Sequence, residues 1–265
     1  GQKESKAIFL EPVTYKALGM DDDFVKQCII KEGTVIFSSE DGEGKSASLA
    51  SIIRYILEND TIIKGTIVTH EHPIEYAYHN IQSEKSLVMQ VSSEKNQSIE
   101  DFDVANSAAM RRSPALIVIG ELKDTNKIDK VVELSATGHP IFATTGSSVV
   151  SGILPILIGQ FPKEIQVGKA HDIISSVKML VAQKLVQNID GQPLAVREAL
   201  EVTNEVRDHL LDVLAETNQV EALYKEISNI IESGHFGSTS YERQATELLN
   251  SGVIDSSSYE CLVKS

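Results

Sequence analysis

Eight consecutive residues constrain this chain most: Ser39-Glu40-Asp41-Gly42-Glu43-Gly44-Lys45-Ser46. They follow an apolar, β-branched run, Thr34-Val35-Ile36-Phe37. Beyond them Leu49, Ile52, Ile53, Ile56 and Leu57 recur at helical spacing. A glycine-rich turn between a strand and a helix suits a phosphate group. Its backbone N–H groups converge, the helix dipole favours an anion, a lysine reaches the β- and γ-phosphates, and a hydroxyl holds Mg2+. The nucleotide-binding candidates are therefore Gly42, Gly44, Lys45, Ser46 and, at the first position of the motif, Ser39. Two features oppose this. The full pattern has glycine where Ser39 stands, and Glu40, Asp41 and Glu43 bring negative charge to a polyphosphate site. The plain alternative is a strand–helix turn that binds no nucleotide.

Three further apolar runs, Thr66-Ile67-Val68, Leu116-Ile117-Val118-Ile119 and Ile141-Phe142-Ala143, predict strands buried on both faces. Helical patterns lie between them: Phe102, Ala105 and Ala109, then Ile128, Val131, Val132 and Leu134. Acidic Asp21-Asp22-Asp23 suits a helix start, with the helix running to about Lys31. Such alternation predicts an α/β fold with a doubly wound, mostly parallel sheet. Past residue 160 the texture changes. Residues 165–186 read as one long helix and residues 193–202 as a late strand. Helix-period sets around Leu210, Ile227 and Leu248 then predict a small C-terminal helical domain. The division is 1–20 linker, 21–202 main domain and 203–265 helical domain.

Charge narrows the function classes. The 265 residues carry a formal net charge of −14. Counterion release on nucleic acid needs a basic face, and a polybasic membrane anchor needs one too, so neither direct nucleic-acid binding nor such anchoring is expected. Two distant cysteines, Cys28 and Cys261, form neither a metal cluster nor a disulfide framework, which favours a reducing cytoplasm. No apolar run approaches the roughly 18 residues of a membrane span. The first six residues lack the apolar stretch of a signal peptide and read as a linker from a longer protein.

Carboxylates supply the remaining chemistry. Leu116-Ile117-Val118-Ile119-Gly120-Glu121 is a buried run ending in an acid, which suits a carboxylate brought to Mg2+ and water; a core strand followed by a surface Glu121 is the alternative. In Thr69-His70-Glu71-His72-Pro73-Ile74-Glu75-Tyr76, Glu71 and Glu75 lie four apart just after a strand and suit polarisation of a water. Metal ligation by His70 and His72 is disfavoured, because the helical His spacing of zinc proteases is absent. Tyr76 and Tyr78 suit either stacking on a base or packing.

In their order and spacing, the glycine-rich loop, the acidic box, the Gly120-Glu121 strand end and Thr137-Gly138-His139 resemble the secretion-ATPase family of PilT-type pilus retraction motors and bacterial secretion ATPases. Pro73-Ile74-Glu75-Tyr76, Arg111-Arg112-Ser113-Pro114 and Thr137-Gly138-His139-Pro140 look most like its DotB/TraJ type IV secretion branch. The resemblance implies a RecA-like ATPase domain, ATP and Mg2+ as ligands, a homohexameric ring, and a cytoplasmic location at the inner membrane beside secretion or pilus machinery. An N-terminal PAS-like domain would precede the chain. The resemblance makes Lys45 and Ser46 the Walker A pair, Glu75 the catalytic carboxylate with Glu71 its partner, and Glu121 the Walker B acid acting through Mg2+. His139 becomes a sensor near the γ-phosphate, and Asp124 the acid after the Walker B strand. Four positions depart from the family: Ser39 for glycine, His72 for aspartate, Lys123 for arginine, and Gly146 for the second histidine. A residue with a Cβ fits a glycine conformation poorly, and lysine lacks arginine's planar fork. Competent ATP hydrolysis is the expectation, and weakened turnover is the alternative that these four departures raise.

Overall fold

The four apolar runs are strands, and each is buried on both of its faces. The computed structural model describes residues 9–92 and 113–264. Its strands are β1 (Gly33–Ser38), β2 (Gly65–Glu71), β3 (Ser86–Ser92), β4 (Leu116–Glu121), β5 (Pro140–Thr145), β6 (Val177–Gln187) and β7 (Pro193–Glu201). They form a seven-stranded sheet in the order β3-β2-β4-β5-β1-β6-β7. All neighbours are parallel except β6 and β7. Val35, Phe37, Ile67, Val118 and Phe142 pack on one face with helices α1 (Asp22–Cys28) and α2 (Lys45–Glu58). Ile36, Ile117, Ile119, Ile141 and Ala143 pack on the other. Successive side chains of a strand point to opposite faces, so burial of both faces requires a continuous apolar run.

The second face carries α3 (Thr125–Ala136), α4 (Val150–Ile158) and α5 (Gln166–Ser176), and the helices α6 (Asn204–Thr217), α7 (Glu221–Ser233), α8 (Tyr241–Asn250) and α9 (Ser256–Val263) lie beyond. Leu210, Leu214, Leu223, Ile227 and Ala245 share one apolar cluster with Ile36 and Leu180 of the sheet. Side chains cap several helix starts. Asp21 accepts from Phe24 N at 2.7 Å and Asp124 from Lys127 N at 2.9 Å, and Thr203 and Asp255 cap α6 and α9. Each such cap is worth about 1 kcal/mol.

Three expectations need correction. Residues 165–186 are not one helix. The helix-period set ends at Ile174, and the unbroken Met179-Leu180-Val181-Ala182 pairs with β1 on one side and β7 on the other. Strand β3 is not among the strands expected from sequence; it pairs with β2, and its residues are only partly buried. Helix α1 stops at Cys28, short of Lys31. The expected helix through Phe102, Ala105 and Ala109 lies outside the described residues. The segment read as linker is packed from Leu10 onward. Leu10 bridges to Tyr76, Arg54 Nη1 donates to Pro12 O at 2.7 Å, and Tyr15 meets Tyr55 edge-on at 5.2 Å.

Candidate functional site

Parallel strands deliver all their C-terminal ends to one edge, where the crevices of open α/β sheets bind ligands. Here β1, β2 and β4 end at a cavity of about 460 Å³. The cavity gathers Gly42, Gly44, Lys45 and Ser46 from the turn after β1, Glu71 and Glu75 from β2 and its following loop, and Glu121 from β4. Tyr76, Tyr78, Lys123 and Thr144 also line it.

The glycine-rich turn has the backbone of an anion cradle. Gly42 and Gly44 have φ of +87° and +79°, a region that L side chains rarely adopt. Gly44 caps the N-terminus of α2, so the positive end of that dipole faces the cavity. Ser39 does not share this conformation. The non-glycine residues with left-handed φ among those described are Ser113, Asn218 and Phe236. Serine is therefore tolerated at the first position without backbone strain. Ser39 is fully buried beneath the turn, and its carbonyl accepts from Lys45 Nζ at 3.2 Å.

Of the three acids in the turn, Asp41 alone lines the cavity. Its Oδ1 stands 3.2 Å from Lys45 Nζ, the position a phosphate oxygen would take. Burial pushes the Glu43 carboxyl up, and its largest favourable charge partner is Lys184 of β6. The acidity of the turn thus divides: Glu43 turns toward the protein, and Asp41 occupies the lysine.

The two strand-end acids differ. Burial pushes the Glu71 carboxyl up, and the charge of Glu75 adds to the shift. The Tyr78 hydroxyl is raised by its own burial and then by Glu71. Glu121 instead binds Lys123, with Oε2 2.7 Å from Nζ. Lys123 thus retains a one-point contact where an arginine would present a fork. A Cβ at Gly120 would crowd the His70 carbonyl of β2 at 3.1 Å.

His139 is not brought to this cavity. It precedes Pro140, and Pro140 is level with Gly33 at the start of β1. The phosphate-binding turn lies beyond the other end of β1, about 17 Å along the strand. His139 Nδ1 meets Thr137 Oγ1 at 2.8 Å instead. Gly146, after the end of β5, is on the cavity side: a Cβ there would lie 3.6 Å from Glu121 Oε1. Asp124 serves as the cap of α3.

Sequence reasoning missed the polar layer beneath the turn. Gln183 of β6 donates from Nε2 to Glu43 O at 2.5 Å, and its Oε1 accepts from Ser48 Oγ at 2.6 Å. Arg197 of β7 donates to Ser48 Oγ and to Leu18 O, each at 3.0 Å. Burial pulls the Arg197 guanidinium down to about 10, which leaves it charged at neutral pH. The signal was available as the polar pair Gln183-Lys184, which interrupts the apolar run Met179-Leu180-Val181-Ala182 and yet is buried.

The donors at the mouth, Ser46 and Glu121, are oxygens, which suits a hard cation such as Mg2+. Among the described residues no group of three or more His, Cys, Asp or Glu gathers to cage a metal. That fits an ion held largely by water and substrate phosphates.

Known proteins share this arrangement of sequence and fold. A family model described as Type II/IV secretion system protein matches residues 5–246. The chain is 33% identical over 179 residues to the type IV pilus ATPase PilU of Pseudomonas aeruginosa, covering 68% of this chain and 45% of that protein. It is 26% identical over 242 residues to the pilus retraction ATPase PilT of the same organism, covering 91% and 66%. Among solved structures it resembles the Yersinia pseudotuberculosis ATPase DotB with a TM-score of 0.85 and 33% identity, covering 97% of this chain and 64% of that one. The chain therefore spans two thirds or less of these relatives' lengths.

Proposed function

The chain belongs to the Type II/IV secretion system protein family, and we propose that it is the ATP-hydrolysing part of a motor powering type IV secretion. The observation that carries this reading is the convergence of Lys45, Glu71, Glu75 and Glu121 on one cavity at the C-terminal ends of parallel strands. The likeness to DotB favours a secretion machine over a retracting pilus, and the retraction ATPase PilT keeps pilus retraction as the alternative.

In this reading Gly42 and Gly44 bind phosphate through backbone N–H groups. Lys45 leaves Asp41 to neutralise the β- and γ-phosphates. Ser46 and Glu121 would hold Mg2+, which when bound neutralises charge developing on the phosphates. Glu75, with Glu71 beside it, orients the attacking water and takes its proton. Tyr76 and Tyr78 border the base. Within one chain His139 lies at the opposite end of β5 from the cavity, so this reading assigns it no contact with the γ-phosphate bound there. The working assembly is a homohexameric ring of a RecA-like domain, residues 21–202, and a helical domain, residues 203–265, on the cytoplasmic side of the inner membrane. No helix among the described residues is long and apolar enough to cross a membrane. Docking would then be through protein partners.

A catalytically weakened subunit is the second reading. It is favoured by the ties of Lys45 to Asp41 and of Glu121 to Lys123, and by Gly146 beside Glu121. Mg2+-dependent ATP hydrolysis by the full-length protein separates the two. Turnover that disappears in Lys45→Ala supports the motor. A ring-sized particle without turnover supports the weakened subunit, and undiminished turnover in Lys45→Ala overturns the site assignment.

A further inference from the structure

The chain of hydrogen bonds beneath the turn has only one possible polarity. Arginine donates and never accepts. Arg197 Nη2 therefore donates to Ser48 Oγ, Ser48 donates to Gln183 Oε1, and the Gln183 amide donates onward to the carbonyl of Glu43. Each member is buried: Ser48 is 1% exposed, Gln183 2% and Arg197 6%. Gln183 and Arg197 are directly paired across β6 and β7, so they share one face of the sheet.

The endpoint gives this chain its use. In a trans peptide the C=O and the following N–H point in opposite directions. Holding the Glu43 carbonyl down on Gln183 turns the Gly44 N–H upward, toward the side where Gly44 lines the cavity. Gln183 also comes close enough that a Cβ on Gly44 would meet its Nε2 at 3.2 Å. The amide therefore fits a glycine backbone and fixes its orientation. A buried arginine is a costly anchor where an apolar side chain would serve packing equally well.

From this we infer that Gln183 is a positioning residue for phosphate binding: it locks the Glu43–Gly44 peptide so that the Gly44 N–H meets the phosphate chain, and Arg197, through Ser48, sets the orientation of its amide. Arg197 also holds Leu18 O, which joins the phosphate-binding turn to the segment entering the domain. This inference rests on the nucleotide reading of the cavity.

The test measures equilibrium binding of Mg-ADP and of AMP to the full-length protein and to two variants. Gln183→Glu keeps the size and the acceptor for Ser48 but faces the Glu43 carbonyl with a second acceptor. Gln183→Met keeps the volume and has no polar end, while Ser48 can turn its hydroxyl to the Gly44 carbonyl four residues back. Losing a hydrogen bond to a charged group corresponds to about a 30-fold loss of affinity. Both variants should therefore bind Mg-ADP about 30-fold more weakly and bind AMP within about twofold of wild type. In ATP hydrolysis KM should rise far more than kcat falls. A role confined to packing would weaken both ligands alike, and that outcome overturns the inference. Unchanged Mg-ADP affinity in Gln183→Met overturns it too, even if Gln183→Glu fails to fold. A wild-type protein that binds neither ligand removes the nucleotide reading and this inference together, whereas binding by wild type with no selective loss in the variants removes only the inference.

Discussion

Strands β2 and β4 are hydrogen-bonded neighbours, and each ends in a glutamate at the same cavity, yet their surroundings treat the two carboxylates oppositely. Glu71 is pushed toward its protonated form by burial and by Glu75. Glu121 instead faces the Lys123 ammonium, with Oε2 2.7 Å from Nζ. From sequence both are an acid after an apolar run. The difference lies in the residues after each strand: a loop that returns a second carboxylate to β2, and a lysine two residues past the end of β4. Position supplies the group, and the neighbours decide whether it handles a proton or holds a charge.

The largest test of this contrast is catalytic. Glu121→Gln should lower kcat for ATP hydrolysis by about 10²-fold or more, since it removes the carboxylate that would hold Mg2+. Glu71→Gln should cost about tenfold, because Glu75 remains beside the water. Equal losses would show that the two strand ends share one role. Gly146→His ranks next. Space exists beside Glu121, the neighbour at 3.6 Å being an ordinary contact. If the missing histidine limits turnover, this variant should hydrolyse ATP up to about tenfold faster. No gain, with the substitution tolerated, would place the limit elsewhere.

Stability should report the burial of Glu71 through its pH dependence. A carboxyl whose folded pKa is raised makes the folded state bind protons more tightly than the unfolded chain. Its penalty is absent below the ordinary value of 4.5. It grows as pH rises toward the folded value and is then constant. Glu71→Gln should therefore raise Tm at pH 8, by about 2–4 °C for each kcal/mol relieved, and the gap should close as pH falls to 4.5. Thermal melts across that range decide it. A Tm gap that widens toward low pH would mean that Glu71 is stabilised as the anion, and the contrast with Glu121 would collapse.

Legibility in the sequence divides in the same way between position and surroundings. Strands β1, β2, β4 and β5 are visible because two buried faces demand β-branched runs. Helix α5 and strand β6 merge into one expected helix because no glycine or proline flanks the Ser176–Val177 junction, so pairing with β1 and β7 decides a boundary that no local signal marks. That error hides Gln183, whose meaning depends on its facing the phosphate-binding turn. Strand β3 is hidden because its burial is partial and its ends are serines. Lys45, Glu71, Glu75 and Glu121 are identifiable because each comes after a strand and parallel strands share an edge. His139 comes before β5, which in a parallel sheet places it at the edge opposite the cavity; it became a candidate through the resemblance and not through its position.

The smallest effect concerns the lysine paired with Glu121. Lys123 is 65% exposed and Glu121 26%. Ion pairs at this exposure contribute about 0–1 kcal/mol. Lys123→Met should thus shift Tm by no more than about 2–4 °C, with the effect shrinking in high salt as the pair is screened. The same variant bears on function in the opposite direction. Releasing Glu121 from its lysine frees the carboxylate for Mg2+, so the Mg2+ concentration giving half-maximal ATP turnover should fall modestly. Lys123→Arg should restore the tie with a two-point fork and raise that concentration again. If Lys123→Met instead needs more Mg2+, then Lys123 aids the ion rather than competing with it, and the contact at 2.7 Å belongs to the working site.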